Sequence, residues 1–94
     1  MEGDSPEMQF QIGSYYYKKN DEEKTEKAHD WFLKAAEQGH MKSQYNVGSY
    51  YYKKKDEEKA LDWFLRAAEQ GHTEAQLNAE IISDGKKLYG DEQE

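Results

Sequence analysis

Apolar and aromatic side chains recur at helical spacing along most of this 94-residue chain. Two faces near the middle show the pattern most clearly: Tyr45, Gly48, Tyr51 and Tyr52 share one, and Ala60, Trp63, Phe64 and Ala67 share the next. The tyrosine triplets at 15–17 and 50–52 favour strands by propensity, but each lies within an i, i+3, i+4 pattern, so we expect no strands. The pattern predicts five helices, over about 6–19, 22–38, 42–54, 57–70 and 73–84.

Residues that begin and end helices stand at the edges of these segments. Pro6, preceded by a serine, is typical of a first helical position, where a missing N–H has no cost. Asp21 and Asp56 precede glutamate-rich first turns, which suit the positive end of a helix dipole. Gly39 and Gly71 each follow an apolar stretch containing Lys or Arg, and they are predicted to end their helices in a left-handed conformation.

The chain contains the same pattern twice. Residues 9–19 end in Gly-Ser-Tyr-Tyr-Tyr-Lys-Lys, as do residues 44–54, and residues 31–40 are nearly repeated at 63–72. A partial third copy begins at Thr73, where residues 76–79 align with 44–47. Self-similarity at this period is the signature of stacked helical repeats, in which each unit buries its apolar face against its neighbour.

The two copies differ in length at one place. Gly13 and Gly48 are 35 residues apart, whereas Trp31 and Trp63 are 32 apart, so the first copy carries three extra residues between positions 20 and 26. We expect a surface loop or a fraying helix start there. The mid-helix glycines cost about 1 kcal/mol each relative to alanine. We therefore predict that each glycine admits a bulky side chain, Trp31 or Trp63, and that the two tryptophans are buried and equivalent.

The two copies resemble the Sel1-like repeat family, a relative of the tetratricopeptide repeats. In the second copy the resemblance is carried by residues 43–51 and by Asp56, Lys59, Ala60, Trp63, Arg66, Ala67, Ala68, Gln70 and Gly71. In the first copy it is carried by Gly13, Tyr16, Lys27, Ala28, Trp31, Lys34, Ala35, Ala36, Gln38 and Gly39. One departure is that lysine-rich segments, 18–20 and 53–55, replace the family's Gly-x-Gly-Val turn.

The resemblance implies an all-α fold, a right-handed α/α superhelix (solenoid) of about two and a half helix-pair repeats. We expect one domain over 1–94, with repeat 1 at about 6–40 and repeat 2 at about 41–72. A partial third repeat or cap at about 73–85 and a polar tail at 86–94 would follow.

Composition limits the kind of core, the compartment and the class of partner that we expect. Apolar residues make up 35% of the chain and the mean hydropathy is −1.31, so the core depends on aromatic and alanine side chains at the helix seams. The chain has no cysteine, no apolar leader and no long apolar run, which predicts a cytoplasmic protein without a membrane span. A net charge of −7 disfavours nucleic acid as a partner.

Three sets of polar residues invite a chemical interpretation, and each has a simpler one. His29, His40 and His72 suggest a transition metal, but the last two follow C-cap glycines and read better as turn histidines. The acidic runs at 21–23 and 56–58 suggest acid–base catalysis, but a first helical turn already explains them. The lysine clusters suit helix C-termini better than a phosphate site. We expect no catalytic residue, no metal and no cofactor.

The eight tyrosines point instead to binding, because aromatic side chains with one polar end anchor protein interfaces. In tetratricopeptide-like stacks the first helix of each pair lines a concave groove. The resemblance then gives the candidate partner-binding residues Phe10, Ser14, Tyr17, Lys18, Lys42, Tyr45, Ser49, Tyr52, Lys53, Leu77 and Ile81. The alternative is that Tyr17 and Tyr52 only close the seam between units.

These observations favour a non-catalytic adaptor that binds a protein or peptide partner through the groove. The alternative is a small acidic inhibitor or immunity-type protein that masks an enzyme. The apolar residues Leu77, Ile81 and Ile82 near the end of the stack also suggest a homodimer through the last helix, unless Leu88 and Tyr89 fold back to cover them.

Overall fold

Five α-helices, packed one after another along the chain, form the part of the protein that the structure describes. The computed structural model describes residues 5–92, with side chains to residue 85. The helices are α1 (Pro6–Tyr17), α2 (Glu22–Glu37), α3 (Met41–Lys53), α4 (Glu57–Glu69) and α5 (Thr73–Glu92), and no strand occurs between residues 5 and 92. Each helix packs on the next, which gives an elongated body of 52 × 28 × 18 Å. The predicted all-α solenoid is confirmed.

The first four helices end within two residues of their predicted limits, but α5 is longer than predicted. It continues from the expected end near residue 84 through most of the segment predicted as a polar tail. Gly85 does not stop it, because the left-handed glycines among the described residues are Gly39 and Gly71. The predicted covering role of Leu88 and Tyr89 lies outside the residues whose side chains are described.

The predicted helix caps are confirmed. Ser5 accepts a hydrogen bond from the Met8 amide at 3.2 Å, and Asp21 and Asp56 cap α2 and α4 in the same way. Gly39 and Gly71 adopt φ values of +97° and +99°, which L-residues with a side chain rarely reach.

The turn histidines also act as caps, a role that the sequence pattern did not suggest. The Nδ1 atom of His40 accepts a hydrogen bond from the Ser43 amide at 3.3 Å, and that of His72 accepts one from the Ala75 amide at 3.1 Å. The Nε2 atom of His40 then faces the Glu7 carboxylate at 3.0 Å. That hydrogen bond lowers the pKa of Glu7.

In the turns that replace the family's glycine-containing turn, a residue other than glycine adopts the left-handed backbone conformation. Asn20 has φ 56° and Lys55 has φ 68°. After α3, the Asp56 amide donates to the Tyr51 carbonyl at 2.9 Å and the Lys55 amide to the Tyr52 carbonyl at 3.0 Å. This is the hydrogen-bond pattern of a Schellman motif, in which glycine usually occupies the position of Lys55.

The three extra residues of the first copy lengthen a helix rather than a loop. Helix α2 has 16 residues and its counterpart α4 has 13. The added turn brings Glu26 against α3, where it accepts a hydrogen bond from the Tyr50 hydroxyl at 2.7 Å and pairs with Lys54 at 3.3 Å. The insertion therefore fastens the first repeat to the second.

The mid-helix glycines allow close helix packing, but their partners are phenylalanines and not the predicted tryptophans. A β-carbon at Gly48 would lie 2.6 Å from the Phe64 ring, and one at Gly13 would lie 2.8 Å from the Phe32 ring. Phe32 and Phe64 are each one residue after a tryptophan. The rotation of α2 and α4 about their axes thus turns the phenylalanine, not the tryptophan, towards the glycine.

The prediction that the two tryptophans are equivalent is wrong. Trp63 is buried, with 9% of its surface exposed, because it packs with Ala28, Phe32, Ala36 and Val47 of the preceding helices. Trp31 occupies the same place in the first repeat, where the described chain provides no preceding repeat, and it is only partly buried. Trp63 thus packs at the seam between the two repeats rather than inside its own helix pair.

Candidate protein-binding groove

Two adjoining cavities run along one side of the helix stack. The first, of about 310 Å³, lies between α1, α2 and α3 and is lined by Tyr17, Thr25, His29, Phe32, Tyr45, Asn46, Ser49, Tyr50 and Lys53. The second, of about 210 Å³, lies between α3, α4 and α5 and is lined by Ser49, Tyr52, Lys53, Phe64, Asn78, Ile81 and Ile82. Ser49 and Lys53 line both cavities, so the two cavities adjoin at these residues, and together they are called the groove.

The two cavities are related by the sequence repeat. The equivalent positions are Tyr17 and Tyr52, Phe32 and Phe64, and Asn46 and Asn78. Each cavity therefore has a tyrosine from the end of one helix, the phenylalanine that packs on a glycine, and an asparagine from the following helix. A groove made of repeated units can contact successive residues of an elongated ligand in successive, similar sites.

The cavities differ where the sequence repeat breaks down. The extra turn of α2 places Thr25 on the wall of the first cavity, and His29 lies one turn further along the same helix. In the second cavity Ile81 and Ile82 stand at the positions of Ser49 and Tyr50. The first cavity is consequently larger and mostly aromatic, and the second is smaller and combines two aliphatic side chains with two aromatic ones.

His29 is a buried polar residue on the wall of the first cavity. Its ring stacks on Tyr50 with centroids 3.6 Å apart, and its Nδ1 atom has no hydrogen-bond partner among the described residues. Burial lowers the pKa of His29, because the charged imidazolium loses hydration. The side chain is therefore neutral near pH 7 and acts in packing, without the charge that a general acid would carry.

Tyr50 is held from its other end by Glu26. Burial, together with the hydrogen bond to that carboxylate, raises the pKa of Tyr50 to about 12. The same hydrogen bond lowers the pKa of Glu26. Both shifts move the groups away from neutral pH, so this contact fixes one wall of the groove and is unsuited to proton transfer.

The groove differs in charge from the rest of the molecule. The chain carries 20 acidic residues, yet no acidic side chain among residues 5–85 lines either cavity, and the charged residue that the cavities share is Lys53. Lys53 has no ion-pair partner among the described side chains, whereas Lys54 pairs with Glu26. The amides of Asn46 and Asn78 likewise form no side-chain hydrogen bond within residues 5–85, so both are available to a ligand.

The structure brings together six of the residues predicted to bind a partner: Tyr17, Tyr45, Ser49, Tyr52, Lys53 and Ile81. The other five line neither cavity. Phe10 packs on Phe32 and on the cap residue His40, Ser14 donates to the Phe10 carbonyl, and Lys18 caps the end of α1. Lys42 is exposed near the start of α3, and Leu77 is exposed on α5.

Sequence reasoning missed several lining residues. Asn46 and Asn78 gave a usable signal. Asparagine has low helix propensity, so its recurrence at the same position of two helices suggests a role other than helix formation. Phe32 and Phe64 were obscured by their tryptophan neighbours. Thr25 and His29 gave no repeat signal, since Thr25 lies within the insertion and Leu61 occupies the position of His29 in the second repeat.

Metal and membrane sites were also sought. Within the described side chains no group of three or more His, Cys, Asp or Glu residues is arranged to hold a metal ion. None of the helices described is long and apolar enough to cross a lipid bilayer.

The Sel1 repeat family model matches residues 6–40 and 42–72, which covers the first four helices and both copies of the repeat. The chain belongs to the Sel1 repeat family. Members of this family generally act as protein–protein interaction modules. A comparison with curated proteins gives no match.

Among solved structures, the chain is similar to a Sel1 repeat protein from Oxalobacter formigenes. The two are 39% identical, with a TM-score of 0.75 over 82% of this chain. The aligned region covers 34% of that protein, so this chain spans about a third of its length. The Oxalobacter structure thus supports the helical-repeat fold independently of the sequence pattern.

Proposed function

We propose that this Sel1 repeat protein is a non-catalytic adaptor that binds a protein or peptide partner in the groove along α1, α3 and α5. The observation that carries the proposal is the pair of repeat-related cavities joined through Ser49 and Lys53. In this proposal the groove is the concave face that the family resemblance implies for ligand binding.

The lining residues favour a protein ligand. Tyr17 and Tyr52 are 52% and 47% exposed, so their rings stand at the rim with one face free. Exposed tyrosines next to apolar cavities are the kind of anchor that protein interfaces use, because the ring buries a large area and the hydroxyl still reaches water or a partner.

A retention experiment with one blocking variant tests the proposal. Ser49→Trp places an indole where the two cavities meet, and Ser83→Trp makes the same change at an exposed position outside both. Immobilised wild-type protein and the two variants are incubated with native lysate, and the retained proteins are identified by mass spectrometry. We expect a partner retained by the wild type and Ser83→Trp but lost with Ser49→Trp.

The acidic-inhibitor alternative predicts a different outcome. A basic enzyme masked by the acidic surface would be retained by Ser49→Trp as well as by the wild type. It would instead be lost when exposed acidic residues of α4, such as Glu57 and Glu58, are changed to lysine. Retention that depends on these carboxylates and not on Ser49 would replace the adaptor proposal.

Self-association through α5 is a second part of the proposal. Leu77 and Ile81 are 57% and 55% exposed on this helix, and a second copy could cover them. Sedimentation equilibrium at tens of micromolar protein tests it. A mass near 11.1 kDa throughout the concentration range would rule out the homodimer.

A further inference from the structure

We propose that the groove binds an extended segment of the partner in which an Asp or Glu side chain pairs with Lys53. An aromatic residue on one side of that acidic residue enters the first cavity, and an aliphatic residue on the other side enters the second. This inference rests on the proposed function and adds the chemistry of the ligand to it.

Charge is the first argument. Lys53 stands where the two cavities join, has no ion-pair partner among the described residues, and is surrounded by neutral lining side chains. A carboxylate placed between the cavities gains an opposite charge beside an apolar wall, where the interaction is less screened than in open water. The net charge of −7 acts from further away and is screened beyond about 8 Å at physiological salt.

Shape is the second argument. A cavity of about 310 Å³ is at the lower end of the range for small-molecule sites, so each cavity has space for one large side chain. An extended segment directs side chains towards a surface at intervals of about 7 Å. Alternate side chains of such a segment can therefore face the groove together, with the acidic residue opposite Lys53 and the apolar residues two positions before and after it.

The residues that line each cavity indicate which apolar side chain of the ligand enters it. Tyr17, Phe32, Tyr45 and Tyr50 surround the first cavity with rings, which favours an aromatic guest through edge and offset ring contacts. Ile81 and Ile82 add aliphatic surface to Tyr52 and Phe64 in the second, smaller cavity, which favours a branched aliphatic side chain there. The unpaired amides of Asn46 and Asn78, one in each cavity, are positioned to donate to and accept from the main chain of such a segment.

A random peptide library displayed on phage provides the probe. Selection is carried out on the wild-type protein, and bound phage are tested again on Ser49→Trp to retain only sequences that need the groove. We expect enrichment of an Asp or Glu between an aromatic and an aliphatic residue. The selected peptide is then synthesised with an acetylated N-terminus and an amidated C-terminus, so that side-chain carboxylates are its only negative groups.

Affinity measurements with that peptide test the role of Lys53. Lys53→Glu should weaken binding roughly tenfold, because it turns an attraction into a repulsion at a partly exposed pair. Lys55→Glu makes the same change in net charge two residues away, at an exposed position outside both cavities, and should change affinity less than about twofold. With Lys53→Gln, replacing the acidic residue of the peptide by its amide should cause little further loss.

The outcomes separate this inference from the proposed function. Peptides that need the groove but show no acidic preference, or whose affinity is unchanged by Lys53→Glu, would overturn the assignment of Lys53 and leave groove binding in place. Peptides that bind only with a free C-terminal carboxylate would overturn it in favour of a chain terminus. Selection that yields no peptide sensitive to Ser49→Trp would overturn both.

Discussion

The glycine at position 48 provides a direct test of how the helix pair is packed. A β-carbon there would lie 2.6, 2.7 and 3.1 Å from three atoms of the Phe64 ring, which is itself only 2% exposed. The ring belongs to a buried cluster with Ala60, Ala67 and Ala75, so making room for a β-carbon means shifting the ring within this packing. Gly48→Ala gains about 1 kcal/mol of helix propensity but incurs an overpacking cost of roughly 1–3 kcal/mol. We expect a net destabilisation of about 1 kcal/mol.

Gly85→Ala is the matched control, because Gly85 also lies inside a helix and a β-carbon there would meet nothing within 4 Å. This variant should be stabilised by about 1 kcal/mol. The difference between the two variants removes the propensity term and isolates overpacking. Urea unfolding followed by circular dichroism at 222 nm measures it, and each kcal/mol corresponds to about 4–8 °C in Tm for a domain of this size. Equal stabilisation of both variants would refute the packing account.

Three further predictions follow from the fold. His29→Leu should flatten the dependence of Tm on pH below pH 7, because the lowered pKa of His29 means that the unfolded chain binds the proton first and stability falls as the pH drops below 6.5; an unchanged profile would contradict this. Lys55→Gly should raise the free energy of unfolding by roughly 1 kcal/mol, since φ is 68° there; lower stability in urea would argue against strain in this turn. Trp63→Ala should lower the free energy of unfolding by about 3–5 kcal/mol and Trp31→Ala by clearly less. Equal losses of stability on thermal unfolding would contradict the different burial of the two tryptophans.

The repeat architecture could be predicted from the sequence because each repeat carries residues that mark where its helices begin and end. Cap residues such as Asp21 and Gly39 act through local hydrogen bonds and backbone conformation, which depend on a few neighbouring residues. The location of the insertion was found for the same reason, and of the two expected structures, a surface loop or a fraying helix start, the structure shows the helix start. The acidic cap motif begins both α2 and α4, so the extra residues lie after the cap, and this signal already indicated a longer helix.

The contacts of individual side chains could not be predicted, because they depend on how whole helices are rotated and stacked. Trp31 and Phe32 are adjacent in sequence, so a rotation of about 100° about the helix axis decides which of them meets the glycine. Sequence periodicity defines an apolar face broad enough to include both. Thr25 and His29 could not be predicted as groove residues for the same reason, because they line the first cavity only once the added turn of α2 is packed against α3.

Helix α5 departs from the repeat at the position where the packing of α1 and α3 requires a glycine. Its cap, His72, matches His40, and its residues align with α3 at a spacing of 32, so Glu80 stands at the position of Gly48. Because even a β-carbon at Gly48 would collide with Phe64, a glutamate at position 80 excludes a phenylalanine arriving in the same way. A further helix pair therefore cannot pack on α5 as α4 packs on α3. Any partner that covers Leu77 and Ile81, including a second copy, must approach α5 with a different geometry.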